Sequence, residues 1–186
     1  MDKLRKWVEG LLNPIAIFLL KIRISPNILT IMGFFFAFLS SIYIYFGNTF
    51  LGGILILVSG FFDVMDGFLA RVGGLSSKLG GFLDSVFDRF SDALIFSSII
   101  YSGMCDLLIG LYVLVGSFLI SYIRCKGECL NVYLAGVGLA ERSERLLIVS
   151  IGLLLNEVQI SLYILSILVT FTIIERFYRV VKSIGD

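Results

Sequence analysis

The sequence predicts an all-α integral membrane protein: six transmembrane helices, N-in and C-in, preceded by an interfacial amphipathic helix. Three observations lead there: long apolar windows, a one-sided distribution of Lys and Arg, and a helical apolar stripe near the N-terminus. The chain of 186 residues is 58% hydrophobic and 16% charged, with a mean hydropathy of +0.99. Soluble domains carry about a quarter charged residues. The length suits one domain over 1–186, with an interfacial helix at 1–25 and a six-helix bundle at 28–181.

Windows of roughly 20 apolar residues, enough to span a bilayer, fall at about 28–47, 50–71, 79–103, 107–125, 141–156 and 159–179. The second, third and fifth carry charges at one end, so their limits are soft. With the N-terminus inside, the inner segments are 1–27, 71–79, 124–145 and the tail after about 175. They hold every Lys and Arg except Arg89, and the outer loops near 48–49, 103–106 and 156–158 hold none. That bias follows the positive-inside rule. Ahead of the first span, Leu4, Trp7, Val8, Leu11, Leu12 and Ile15 recur at helical spacing, with Lys3, Lys6, Glu9 and Asn13 largely between them. A basic amphipathic helix with a Trp lies in the membrane interface; the alternative is a solvent-facing helix packed on the inner ends of the spans.

Composition excludes several functions. The net charge of +1 offers no basic excess for nucleic acid. With no His, histidine acid–base catalysis and histidine metal sites are ruled out. Cys105, Cys125 and Cys129 lack the further soft ligands of a zinc site and read as small packing residues. The apolar stretch Pro14–Leu20 is short and lacks the cleavage pattern of a signal peptide.

The second and third spans nevertheless contain Asp63, Asp66, Asp84, Asp88 and Asp92, with Arg71 and Arg89. An ionisable group at membrane depth costs about 2.5–3.5 kcal/mol on insertion scales and marks a functional site. An interhelical carboxylate–arginine lock accounts for two or three of these residues, not for five carboxylates against two arginines. Asp63, Asp66, Gly67 and Ala70 share one helix face; Gly80, Asp84, Asp88 and Asp92 step by four along the next. A hairpin folded near residue 75 sets Asp66 level with Asp84 and Asp63 level with about residue 87. Four carboxylates then meet roughly 13–18 Å from the connecting loop at 1.5 Å per residue. Like charges so placed take up protons or bind cations. Oxygen-only ligands favour hard ions, Mg²⁺ or Mn²⁺, and two divalent ions would neutralise the four charges, a device of phosphoryl chemistry. Gly67, Ala70, Gly80 and Gly81 clear room for a ligand or permit close helix approach. A cation transporter is the reading of another class, but no second copy of the aspartate pattern is present, as the internal repeats of transporters would require.

The run Asp63-x2-Asp66-Gly67-x2-Ala70-Arg71-x8-Gly80-x3-Asp84-x3-Asp88 resembles the full motif of the CDP-alcohol phosphatidyltransferases, and the expected six helices agree with that family's fold. The resemblance implies that Asp63, Asp66, Asp84 and Asp88 surround two divalent cations and that Asp88 is the general base for an acceptor hydroxyl. It implies further that Gly67, Arg71 and Gly80 line the CDP site with Asp63, Asp66 and Asp84, and that the protein forms a homodimer. The donor would be CDP-diacylglycerol or CDP-archaeol in a cell membrane, with the site facing the cytoplasm. Asn27, opening the first span, reads as a helix N-cap, or as a residue approaching the nucleotide.

For the acceptor, S-Y-I-R-C-K-G-E at 121–128 and A-E-R-S-E-R-L at 140–146 resemble the branch that makes phosphatidylinositol phosphate and its archaeal ether-lipid counterpart. That resemblance implies inositol 1-phosphate as acceptor, its phosphate held by Arg124, Arg142 and Arg179, with Lys126, Arg145 and Arg176 as further basic residues nearby. The order Arg124–Lys126 inverts the Lys/Arg order of the bacterial sequences, and Cys125 and Gly127 replace alanines. Glycerol 3-phosphate, which also needs a basic phosphate pocket, is the alternative acceptor.

Overall fold

The structure, a computed structural model, describes residues 2–185, with side chains described from Leu12 onward. Seven helices follow one another: α1 (Asp2–Lys21), α2 (Pro26–Tyr45), α3 (Thr49–Val72), α4 (Lys78–Tyr101), α5 (Leu107–Cys129), α6 (Arg142–Leu154) and α7 (Val158–Gly185). Among the described residues there is no strand. Four helices, α2, α3, α5 and α7, are long and apolar enough to cross a membrane. The other two expected spans depart from that pattern for separate reasons. Helix α4 is long enough but carries the carboxylates, whereas α6 has only 13 residues, about 20 Å against a hydrocarbon core of about 30 Å. Large apolar side chains such as Phe35, Phe50, Leu108, Val115 and Ile167 face outward, while Ser40, Ser59, Ser117 and Ser150 are buried. A hydrophobic exterior of this extent suits lipid rather than water.

The turns use local chemistry. Pro26 sits in the first turn of α2, where its fixed φ is already helical. The N-cap of α2 is Ser25, so Asn27 is not the cap. Helix α3 stops where Gly74 turns left-handed at φ +61°; Gly73 N–H then bonds Leu69 C=O, and Leu75 N–H bonds Ala70 C=O, each at 2.9 Å. This is a Schellman ending. Ser77 opens α4 by accepting from Gly80 N–H at 3.0 Å, the usual N-cap bond.

Helix α2 packs against both α3 and α4, which scarcely approach each other backbone to backbone. The expected hairpin of α3 and α4 brings Asp63, Asp66 and Asp84 together, with α2 packed against both helices and the two held apart from each other. Of the alternatives for the small residues, clearing room prevails at this point. A Cβ on Gly81 would meet nothing within 4 Å, and one on Gly67 only the end of Arg71. Ile44, Ile56, Ile95, Phe96, Leu153 and Leu162 belong to the main core, which joins α2–α7. A smaller core ties Leu12 and Ala16 of α1 to Leu29, Met65, Phe68 and Leu69. Leu12 is thus inward, while Ile15, Ile17 and Phe18 are exposed, so α1 both packs on the bundle and keeps an apolar outer face. Leu4, Trp7, Val8 and Leu11 of the predicted stripe lie outside the residues whose side chains are described. Cys105 packs on the core, but Cys125 and Cys129 are exposed, so neither packs inside as expected.

The stretch between α5 and α6 is irregular yet buries Leu134, Val137 and Ala140. Irregular backbone inside a membrane domain needs protein partners, and α7 supplies them. Thr172 Oγ1 accepts from Leu139 and Ala140 N–H, each at 3.1 Å. Arg176, 2% exposed, donates to Val137 C=O at 2.8 Å, to Ile120 C=O at 3.1 Å and to Glu141 at 3.1 Å.

Candidate active site

The N-terminal ends of α2 and α4 and the C-terminal half of α3 enclose a cleft of about 220 Å³ whose lining includes Asn27, Asp66, Gly67, Arg71, Gly80 and Asp84. One carboxylate oxygen from each of Asp63, Asp66 and Asp84 lies within 4.8 Å of the others. The helical registers set this up: Asp63 and Asp66 lie on one face of α3, and Asp84 projects from α4 across the gap that α2 maintains. Three carboxylates with no nitrogen or sulfur donor fit a hard divalent cation. Thr30 on α2 fixes the deepest of them, its hydroxyl donating to Asp66 Oδ2 at 2.5 Å. Gly80 is kept small by the cleft itself, since a Cβ there would come within 3.0 Å of Asn27 Oδ1.

Asp88 is not part of that trio. It stands beside it through Arg142, whose Nη1 lies 2.7 Å from both Asp63 Oδ1 and Asp88 Oδ1. Arg89 holds the other Asp88 oxygen at 3.1 Å. One turn further, Asp92 pairs with Arg145 at 2.8 Å, the two side chains 3% and 2% exposed. Arg145 also donates to Ala140 C=O at 2.8 Å.

The three arginines expected at an acceptor phosphate each meet different carboxylates. Arg142 faces the carboxylates. Arg124 pairs with Glu128 at 2.9 Å on a half-exposed surface. Arg179 lies 3.7 Å from Glu175 and lines a separate cavity with Tyr133, Tyr178 and Lys182. Of the further basic residues, Arg145 and Arg176 are buried with protein partners, and Lys126 is exposed. Sequence reasoning did not single out Thr30 or the Asp92–Arg145 pair. A lone Thr in an apolar span and an Arg one turn after Arg142 were the available signals.

An all-helical membrane protein with an oxygen-only cation site at the mouth of a polar cleft is suited to phosphoryl transfer on a lipid. Comparison with known proteins agrees. The family model for CDP-alcohol phosphatidyltransferase matches residues 23–174. The archaetidylinositol phosphate synthase of Pyrococcus horikoshii is 40% identical, over 99% of this chain and 98% of its own. That of Methanothermobacter thermautotrophicus is 34% identical, over 97% and 93%. Among solved structures, Mycobacterium tuberculosis phosphatidylinositol phosphate synthase with CDP-DAG bound superposes with a TM-score of 0.79 at 27% identity, covering 91% of this chain and 92% of that one. The same enzyme in complex with manganese and citrate also gives 0.79, with 91% and 88% covered. The chain belongs to the CDP-alcohol phosphatidyltransferase family. It is a membrane-bound transferase of phospholipid biosynthesis, and the transporter reading falls away.

Proposed function

We propose that this enzyme transfers a phosphatidyl or archaetidyl group from a CDP-linked lipid to inositol 1-phosphate, releasing CMP. The observation that carries the reading is the trio Asp63, Asp66 and Asp84 at the edge of the cleft, with Asp88 one helical turn beyond Asp84. The relatives' names as inositol phosphate synthases support the acceptor, and the related structure with CDP-DAG supports the donor.

Asp63, Asp66 and Asp84 would hold the divalent cations, two in number with Asp88 completing the set, as Mg²⁺ or Mn²⁺. Cations there supply charge neutralisation for a pyrophosphate and its leaving group. Gly67, Arg71 and Gly80 shape the CDP pocket, with Asn27 at its wall. The acceptor hydroxyl oxygen bonds to the lipid-bearing phosphorus, the bond from that phosphorus to the CMP oxygen breaks, and the hydroxyl proton passes to the Asp88 carboxylate. Arg124, Arg142 and Arg179 serve the acceptor's phosphate, a dianion suited to guanidinium forks. The one-sided basic residues support six crossings by α2–α7 with both termini and the site at the cytoplasmic face. The apolar outer face of α1 supports its place in the interface of a single membrane domain, and the family resemblance supports assembly as a homodimer.

The test offers purified enzyme a CDP-lipid, Mg²⁺ and one acceptor at a time: inositol 1-phosphate, glycerol 3-phosphate, serine or inositol. CMP release with inositol 1-phosphate alone is expected. Release with glycerol 3-phosphate and not inositol 1-phosphate overturns the acceptor, and no release with any acceptor overturns the reaction.

A further inference from the structure

Arg142 and Arg145 lie one turn apart on α6, and both meet carboxylates of α4, yet they are held differently. Arg145 makes directional bonds at 2.8 Å to Asp92 and to the Ala140 carbonyl. Arg142 Nη1 is buried 2.7 Å from oxygens of both Asp63 and Asp88, but neither Nη1 nor Nε forms a hydrogen bond of acceptable geometry. At these two nitrogens the guanidinium is held by charge rather than by hydrogen bonds. A void of about 10 Å³ adjoins it, lined by Thr30, Ser59, Asp63, Asp88 and Ser91 among others. That is about the volume of one water or one small ion. Asp63 is also shared, since it belongs to the trio with Asp66 and Asp84.

From this geometry we propose that Arg142 is a tethered counter-ion that competes with a divalent cation for Asp63 and Asp88, and turns to the acceptor's phosphate when the cation takes its place. Exchange of one cation for another at the same oxygens sacrifices no directional bond. The guanidinium, still anchored through α6 by the Arg145–Asp92 pair, then has its donors free for an anion. Metal and acceptor phosphate therefore bind with positive cooperativity, and by linkage each tightens the other by the same factor. The acceptor half rests on the function proposed above; the competition half does not.

Mn²⁺ binding to the purified enzyme, without any lipid or nucleotide, is measured by isothermal titration for the wild type, Arg142→Gln and Arg142→Lys. Removing the competing charge is expected to tighten Mn²⁺ about tenfold or more in Arg142→Gln, while Arg142→Lys, which keeps the charge, stays within a few-fold of wild type. A merely structural role moves both variants the same way. Unchanged or weaker Mn²⁺ binding by Arg142→Gln overturns the competition. In a second arm, Mn²⁺ tightens inositol 1-phosphate binding in the wild type, and this coupling is lost in Arg142→Gln. Coupling that persists in Arg142→Gln overturns the release of Arg142 to phosphate. Absence of inositol 1-phosphate binding under all conditions, with the Mn²⁺ effect intact, overturns the acceptor assignment and leaves the competition standing.

Discussion

Replacing Arg145 with Met tests how α6 is held to α4. The change removes one partner of a pair whose side chains are 2% and 3% exposed, leaving Asp92 charged and buried. Breaking such a pair costs about 3–5 kcal/mol. Asp92 has partial relief, because Arg142 Nε lies 3.5 Å from its other oxygen, which places the expected loss near the lower end, about 3 kcal/mol. Removing both charges, Asp92→Leu with Arg145→Met, leaves apolar groups of similar volume and costs far less, about 1 kcal/mol or below. Unfolding by SDS in mixed micelles, followed by circular dichroism at 222 nm, reads all four corners of the double-mutant cycle. A loss below about 1 kcal/mol for Arg145→Met, or a double variant less stable than both singles, would refute the reasoning that the pair is a buried, mutually dependent lock.

Three further outcomes are expected. Asp88→Asn abolishes CMP release while the circular dichroism spectrum and SDS midpoint stay close to wild type, because Asn keeps the shape but cannot take the proton; normal turnover rules out Asp88 as base. Thr30→Val removes the hydroxyl that Asp66 accepts from and, at about 1.5–3 kcal/mol for a bond to a charged group, weakens Mn²⁺ binding by titration; an unchanged affinity separates Thr30 from the cation site. Gly80→Ala places a methyl against Asn27 Oδ1 and raises KM for the CDP-lipid with less effect on KM for the acceptor. A rise in the acceptor KM alone contradicts the placement of the CDP cleft.

Much of this was legible in the sequence because it is local. Asp63 and Asp66 at i and i+3, and Asp84 and Asp88 at a step of four, define faces by helical periodicity alone. Their levels follow from the short loop around Gly74, and the Asp66–Asp84 and Asp63–Asp88 matches appear in the structure as the trio and the shared Arg142. What was not legible depends on partners distant in sequence. Nothing in the periodicity of α3 and α4 says that α2 keeps them apart; the signal lies in α2 itself, whose small and hydroxyl residues Thr30, Gly33, Ala37, Ser40 and Ser41 lie on its buried face. The direction of Arg142 is set by the position of α6, which in turn is set by Asp92 from α4 and by the irregular stretch before it. Neither membrane side nor the motif resemblance could reveal that Arg145 and Arg176 are buried with protein partners while Arg124 and Arg179 pair with glutamates one turn away.

Arg176 gives the far end of the chain a hold on the chemistry. Its guanidinium grips Val137 and Glu141 together, and Glu141 is the residue immediately before Arg142. The last turns of α7 therefore act as a gauge for how far Arg142 reaches toward Asp63 and Asp88, some ninety residues after the aspartate motif has ended. A slip of α7 by one helical turn would carry Arg176 about 5.4 Å along its axis and draw the start of α6 with it. The C-terminal helix thus belongs to the alignment of the site without contributing a single ligand to the trio.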